Sequence, residues 1–507
     1  MSTHQVKSIC IAGGGSAGWL AAAHALHLFQ DKNLKVTLVE SPNVPIIGVG
    51  EATLLGFDTF LTKDCNIPFE LWTKECDATI KLGTKFTNWF ADGLDIWAPF
   101  LVPVILSETD SKHYDLLDLS LRAEIAKPDF YPTCAPWWEI AVEDKKIPST
   151  ATLDGPGSGD HGVAYHLDAV KLANFLSTWC NKKYPWLKHI KKHIDKPVIK
   201  DGNVDHLILE DGSTIHADVF IDCTGFKKLL SNAIEGSDWR EQGDMLYINS
   251  AVASQINYKN DDESQHPYVD ATAHDLGWIW KTPIKDRIGS GLCYNNTITS
   301  KQEAEDAFVQ HWGEARLRTG DFNHIKFKPE YNAKNWRGNV IPVGLSSGFV
   351  EPLESSGLGL MTLSMSPLAS CLVNGAYTDA DRDDYNNELA FTYQNTMDFI
   401  GLHYFNNPRD GAFWKLVEEK YDSTDSLYSY VEALRLTATH THKNQYYPRA
   451  NGLFHEWNWK LWAYATGIGT KTWDMSKEEA LKHINIIKDE DGKVSYPGIE
   501  NRKWSRR

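Results

Sequence analysis

The chain has no CxxC pair, no internal repeat and no low-complexity tract. Positive charge is scarce: 51 Lys and Arg against 67 Asp and Glu leave a formal net charge of -16. A surface of that sign excludes phosphate-backbone binding and disfavours an anionic membrane, so neither a nucleic-acid nor a membrane partner is expected. The eight cysteines (Cys10, Cys65, Cys76, Cys134, Cys180, Cys223, Cys293, Cys371) are scattered. That pattern fits reduced, buried thiols in a cytoplasmic protein and points to no metal site. Long apolar runs are absent too, with one instructive exception. Ile9 to Phe29 carries no formal charge, yet four glycines cluster within it and divide it into a strand-like and a helix-like half. A buried strand followed by a helix explains this better than a membrane span.

What is present begins there. Val6 to Ala12 is a short β-type run leading directly into Gly13-Gly-Gly-Ser-Ala-Gly18. A helical pattern follows through Trp19, Leu20, Ala23, Leu26 and Phe29, and Leu34 to Glu40 reads as a second strand ending in an acid. The order strand, glycine turn, helix, strand, acid is a dinucleotide-binding fingerprint. Gly13 permits the tight turn, Gly15 lets a pyrophosphate approach the backbone, and Gly18 lets the helix pack on the strand. Ser16 and Ala17 open the helix whose N-terminus faces the phosphates, and Glu40 can accept from ribose hydroxyls.

Further along, Ile215 to Gly225 reads as an apolar strand finishing in Asp222-x-x-Gly225, which returns the chain beside a flavin in many two-dinucleotide-fold proteins. No second Gly-x-Gly-x-x-Gly is available for NAD(P)H, so the expected cofactor is FAD, already reduced by a separate NAD(P)H flavin reductase. Aspartate and glycine turns separate short strands at Pro197 to Ile199, His206 to Leu209 and Val219 to Asp222. From about Ala380 the pattern turns helical, over Tyr385 to Phe405, Ala412 to Lys420 and Ser426 to Thr437. The fold class is α/β: an FAD/NAD(P)-binding Rossmann-like body of the two-dinucleotide-fold type with a mostly helical C-terminal substrate-binding part. At 507 residues, two or three folding units are expected, as a monomer or a homodimer.

Gly277-Trp-Ile-Trp-Lys-Thr-Pro283 resembles the tryptophan-rich signature of flavin-dependent halogenases. Gly48-Val-Gly-Glu-Ala-Thr53, Ala78 to Trp89 and Gly348-Phe-Val-Glu-Pro-Leu-Glu-Ser-Ser-Gly357 resemble the tryptophan-halogenase branch of that family. Ala164-Tyr-His-Leu-Asp168 and Trp336-Arg-Gly-Asn339 also fit. The resemblance covers about residues 6–375 and thins in the C-terminal quarter. It implies that reduced FAD and O2 oxidise halide (chloride, bromide or iodide) to hypohalous acid, which travels through a tunnel to Lys81. Lys81 aligns with the family's catalytic lysine, and Glu354 with the glutamate beside it. Ser356 and Gly357 fall where the family binds halide, and Gly50, Ala52, Thr53, Gly344 and Leu345 fall along the flavin. Trp278 and Trp280 occupy the signature thought to keep substrate away from the flavin.

The resemblance also divides the chain. Residues 1–90 would start the FAD-binding core and 91–194 would be an insert contributing to the substrate pocket. Residues 195–375 would complete the core with the signature-bearing sheet, and 376–507 would form a helical cap. Thr79, Lys81, Gly83 and Lys85 alternate as one face of a strand, whose lysines are usually solvated. Arg287-Ile-Gly-Ser-Gly291 reads as a structural turn.

The chain departs from the family at Ala52, Thr282 and Ser356, where serine, an apolar residue and threonine are usual. On the substrate side Ala98 stands near an expected histidine, and Leu453 stands where a glutamate is expected after the Tyr446-Tyr447 pair. Trp97, Phe100, Ser355, Tyr446, Tyr447 and Trp457 are the candidate substrate contacts, with Trp459 and Trp462 as further wall residues. They suit an indole-like or phenolic aromatic without an amino-acid handle. Two rival readings remain open: an aromatic hydroxylase using the same flavin, and a non-catalytic flavin-binding protein.

Overall fold

The computed structural model describes residues 3–44, 48, 50–100, 104–106, 113–125, 127–135, 163–259, 266–319, 321–372, 374–437, 453–454, 456–468, 476–486 and 488. The chain forms two compact units. The first comprises Met1–Ala78, Leu167–Gly243 and Lys326–Met397; the second comprises Thr79–His166, Asp244–Ile325 and Asp398–Arg507.

A parallel five-stranded sheet organises the first unit, in the order Lys188–Lys191, Lys35–Glu40, Ser8–Ala12, Val219–Asp222, Val340–Pro342. Its central strands are apolar on both faces, as a covered parallel sheet requires: Cys10, Ile11, Ala12, Val219 and Phe220 are all buried. The helix Ser16–Leu28 follows the first strand and buries Gly18 through Leu26. The uncharged stretch from Ile9 is therefore a strand and a helix. Ala169–Lys183 is started by Asp168, whose carboxylate accepts from the Val170 and Lys171 N–H groups. An antiparallel sheet of Ile194–Lys200, Asn203–Leu209 and Thr214–Ile215 shares a core with the parallel one through Val204, Leu207, Phe220 and Val340.

The second unit carries a seven-stranded sheet that includes Gly83–Thr87, Ile96–Pro99, Val269–His274, Gly277–Pro283, Ile288–Tyr294 and Ser250–Ile256. One face is covered by the helix Lys301–Trp312, opened by a Ser300–Glu303 capping box, with Ile279, Leu292 and Phe308 in the shared core. The helices Ala412–Lys420 and Asp425–Thr437 belong to this unit, as the C-terminal periodicity predicts, and so do Glu456–Ala465 and Lys477–Ile486.

Two local expectations need correction. Arg287 to Gly291 is not a turn: the chain turns before it, where Ile284 N–H donates to the Arg287 carbonyl at 2.9 Å, and Ile288 opens a strand. Gly291 is there for space, since a Cβ would come within 2.1 Å of the Trp280 ring. Nor is Thr79 to Lys85 one continuous strand face. Thr79–Lys81 pairs with Ala164–Leu167, whereas Gly83–Thr87 joins the large sheet, and Leu82 between them donates to the Pro267 carbonyl. All eight cysteines are free thiols, and among the described residues no helix is long and apolar enough to cross a membrane.

Candidate active site

The glycine-rich turn of the first unit is built by close backbone approach. Gly13 has φ +113°, and a Cβ there would lie 2.2 Å from the Cys223 carbonyl oxygen. A Cβ on Gly18 would lie 1.9 Å from the Gly13 oxygen, so helix and turn meet at glycine distance. At Gly15 a Cβ would meet nothing within 4 Å. Gly15 is also the N-cap of Ser16–Leu28 and supplies no side-chain cap. The first-turn N–H groups, with Ser16 and Ala17 among them, thus front open space beside a bare backbone, which is the cradle a diphosphate requires.

Glu40 ends the neighbouring strand, with Oε1 2.7 Å from His189 Nε2. Burial pushes its carboxyl up, but the His189 hydrogen bond and charge, with smaller contributions from Trp19 and Lys191, outweigh this and hold it below its ordinary value. His189 sits edge-on to Trp19 at 4.9 Å. Sequence reading missed His189 because it reaches Glu40 only through the parallel pairing of Lys188–Lys191 with Lys35–Glu40.

Asp222, at the end of the returning strand, is buried and ties three segments together. Its carboxylate accepts from Thr224 N–H and Oγ1, from the Leu230 and Ser231 N–H groups, and from Ser346 Oγ. Gly344 follows at φ +67°, where a Cβ would stand 3.0 Å from the Ala17 methyl, and Leu345 continues the same turn. Gly50 has φ +109°, and Ala52 and Thr53 are buried. Between them is Glu51, whose carboxyl burial pushes up to about 7. The sequence reading passed over it.

The Glu351 to Gly357 segment starts with the short turn Pro352–Glu354, and Ser355 then takes a left-handed φ of 58°. That reversal opens the helix Ser356–Leu372. Glu354 and Ser356 are buried, and Ser356 Oγ has no hydrogen-bond partner among the described residues. A Cβ on Gly357 would meet nothing within 4 Å, and Gly357 lines a cavity of about 20 Å³ with Gly344, Gly348, Leu360 and Tyr393. That volume admits one small species. An orphaned hydroxyl and a helix N-terminus beside such a cavity suit a monatomic anion.

In the second unit, Lys81 is wholly buried at the end of Thr79–Lys81, with Nζ 4.9 Å from the centre of the Phe100 ring. Fully buried lysines are rare. His166 is opposite Thr79 on the paired strand, and burial, then the Lys81 charge, hold its imidazole well below the ordinary range. Trp97 is buried against Tyr268, their rings 5.7 Å apart. Trp278 and Trp280 line one face of their strand with rings 6.3 Å apart, and Trp89 follows at 6.4 Å from Trp278. Trp459 and Trp462 are core residues, the latter 3.7 Å from the His403 ring, and Trp457 on the same helix is half-buried.

Lys81, Phe100, Trp97 and Trp457 thus belong to the second unit, and Glu354, Ser355, Ser356, Gly357 and the flavin candidates to the first. Tyr446 and Tyr447 are outside the described residues. In the first unit, Asp205, His206 and His216 bring ligand atoms within 4.8 Å of one another, with Asp205 hydrogen-bonded to His206.

Comparison with known proteins identifies the family. The chain is 32% identical over 450 residues to tryptophan 6-halogenase ThaL of Streptomyces albogriseolus, covering 85% of this chain and 82% of that one. It is 31% identical to tryptophan 7-halogenase RebH of Lentzea aerocolonigenes, covering 82% and 79%. The crystal structure of tryptophan 6-halogenase SttH from Streptomyces toxytricini superposes with a TM-score of 0.84 at 28% identity, covering 95% of each chain. The sequence profile of the tryptophan halogenase family matches residues 8–480, and the chain belongs to that family of flavin-dependent enzymes.

Proposed function

We propose that this enzyme takes reduced FAD, O2 and halide and halogenates an electron-rich, indole-like aromatic through Lys81. The observation that carries this reading is a lysine buried without solvent exposure, with an aromatic ring over its ammonium. Burial of such a group is costly, so a chemical role explains it better than packing does.

The residues present fit FAD. Gly13, Gly15, Ser16, Ala17 and Gly18 offer the phosphate cradle, Glu40 stands at the ribose position, and Gly50, Ala52, Thr53, Gly344 and Leu345 would follow the rest of the cofactor. Reduced FAD with O2 supplies the oxidising power that converts halide to hypohalous acid. Ser356 Oγ and the Ser356 and Gly357 N–H groups would hold the halide, with the helix N-terminus compensating its charge. Lys81 would fix hypohalous acid by hydrogen bonding or as a haloamine and so orient the halogen. Glu354 would stabilise the cationic ring intermediate or take its proton.

The named relatives act on tryptophan, which supports an indole ring as the acceptor. Ala98 and Leu453 remove polar groups expected for an amino-acid end, which favours a substrate without one. The flavin would come reduced from a separate reductase.

Mass spectrometry of reactions containing FAD, a reductase, NADH, O2, catalase and indole tests the reading, with each halide offered separately. A halide-dependent mass shift is expected, falling at least about a hundredfold in Lys81→Ala. Halide-independent oxygenation would instead identify a hydroxylase. Preference for free tryptophan over indole would overturn the substrate assignment alone.

A further inference from the structure

The strand pair that carries Lys81 also carries a buried base. Thr79–Lys81 and Ala164–Leu167 run antiparallel with Lys81 opposite Ala164 and His166 opposite Thr79. Directly opposed residues share a face, so Thr79, Lys81 and His166 project to the same side. Lys81 and His166 are diagonal neighbours there, and a lysine chain spans such a diagonal.

Hydrogen bonding fixes the tautomer of His166. The Thr79 hydroxyl donates to the Pro283 carbonyl at 3.1 Å, which commits its one proton. His166 Nδ1 lies 3.3 Å from that hydroxyl oxygen and must therefore be the donor in that contact. An imidazole protonated on Nδ1 presents a bare lone pair on Nε2. His166 is fully buried, and Nε2 has no hydrogen-bond partner among the described residues. An orphaned buried acceptor is costly, and the Lys81 ammonium, whose charge reaches the ring, is a donor that can satisfy it.

We propose that His166 is a positioning residue for Lys81, its Nε2 accepting one Nζ–H hydrogen bond when hypohalous acid is present and so aiming the remaining Nζ–H donors at the incoming halogen species. Thr79 and Pro283 act behind it by holding the ring in the acceptor tautomer. Burial and the Lys81 charge keep the ring neutral, so it attracts the ammonium rather than repelling it. No bond is made or broken at His166. This inference rests on the reading of Lys81 given above.

His166→Asn and His166→Gln separate the two ring nitrogens. Asparagine places an amide N–H near Nδ1 and keeps the Thr79 contact, but offers nothing at Nε2. Glutamine reaches the Nε2 position with a carbonyl acceptor. Product formation and escaped hypohalous acid are measured together, the latter with a halogen-accepting dione dye. His166→Asn should lower product formation roughly tenfold or more while raising the escaped fraction, and His166→Gln should recover much of the loss. Equal behaviour of the two variants, or a His166→Asn variant as productive as the parent, would overturn the inference. Should His166→Asn fail to fold, His166→Gln decides alone: a parent-like partition supports the acceptor role, and wholesale escape refutes it. A parent enzyme that makes no halogenated product would refute the Lys81 reading instead, so the two failures are distinguishable.

Discussion

Glu51 shows what a single half-buried carboxyl does to pH dependence. Burial alone raises its titration to about 7, from an ordinary 4.5. A raised carboxyl holds its proton longer in the folded chain than in the unfolded one. Between pH 4.5 and 7 the folded state therefore binds more protons, and stability falls as pH rises through that window. Below it both states are protonated, and above it the loss is complete. Glu51→Gln removes the ionisation. Thermal melts of the flavin-free chain should coincide with the parent near pH 4 and exceed it by roughly 2 °C or more above pH 7.5. A parent-like melt at pH 8 would show that Glu51 ionises normally. Lys81 makes the complementary point about legibility. Its alternation with Thr79, Gly83 and Lys85 reads as a wet strand face, yet the strand breaks at Leu82 and the lysine is buried. Only its partner strand, contributed by Ala164–Leu167, reveals that, and no local pattern encodes a pairing over such a separation.

The start of the helix Ser356–Leu372 illustrates how an element makes a site. Left-handed Ser355 ends the preceding turn and releases the first helical N–H groups, and the Ser356 hydroxyl, unpartnered among the described residues, stands among them. Were the hydroxyl a halide ligand, Ser356→Ala would remove one donor and leave the backbone donors in place. Halide titrations at saturating reduced flavin should then show KM for halide rising about five- to tenfold, with flavin affinity unchanged. An unchanged halide KM would assign the anion to the backbone alone. Elements whose logic is local were legible in the sequence: the strand, glycine turn and helix over Ser8 to Leu28 follow from spacing and glycine alone. Elements set by partners were not. Gly289 and Gly291 read as a turn, but Gly291 is a strand residue kept bare for the Trp280 ring on the adjacent strand. His189 likewise reaches Glu40 from 149 residues away.

At the scale of the whole molecule, the sequence carries one dinucleotide fingerprint and a net charge of -16. Among the described residues the parallel sheet provides one glycine-lined cradle, at the end of Ser8–Ala12. An NAD(P)H site would need a second such approach of bare backbone to phosphate. If the flavin arrives already reduced, as the proposed function has it, the acidic surface offers an acidic reductase no electrostatic reason to dock. Delivery by free diffusion is then the expected route, and it has a kinetic signature. With two unrelated reductases, adjusted to equal production of reduced FAD, the halogenation rate should be the same, and chemically reduced FAD should sustain it with no reductase present. Adding excess oxidised FAD should slow all three equally, by competing for the single cradle. A rate that depended on which reductase was used, at equal reduced-flavin flux, would mean direct transfer within a complex and would place a docking surface on this chain.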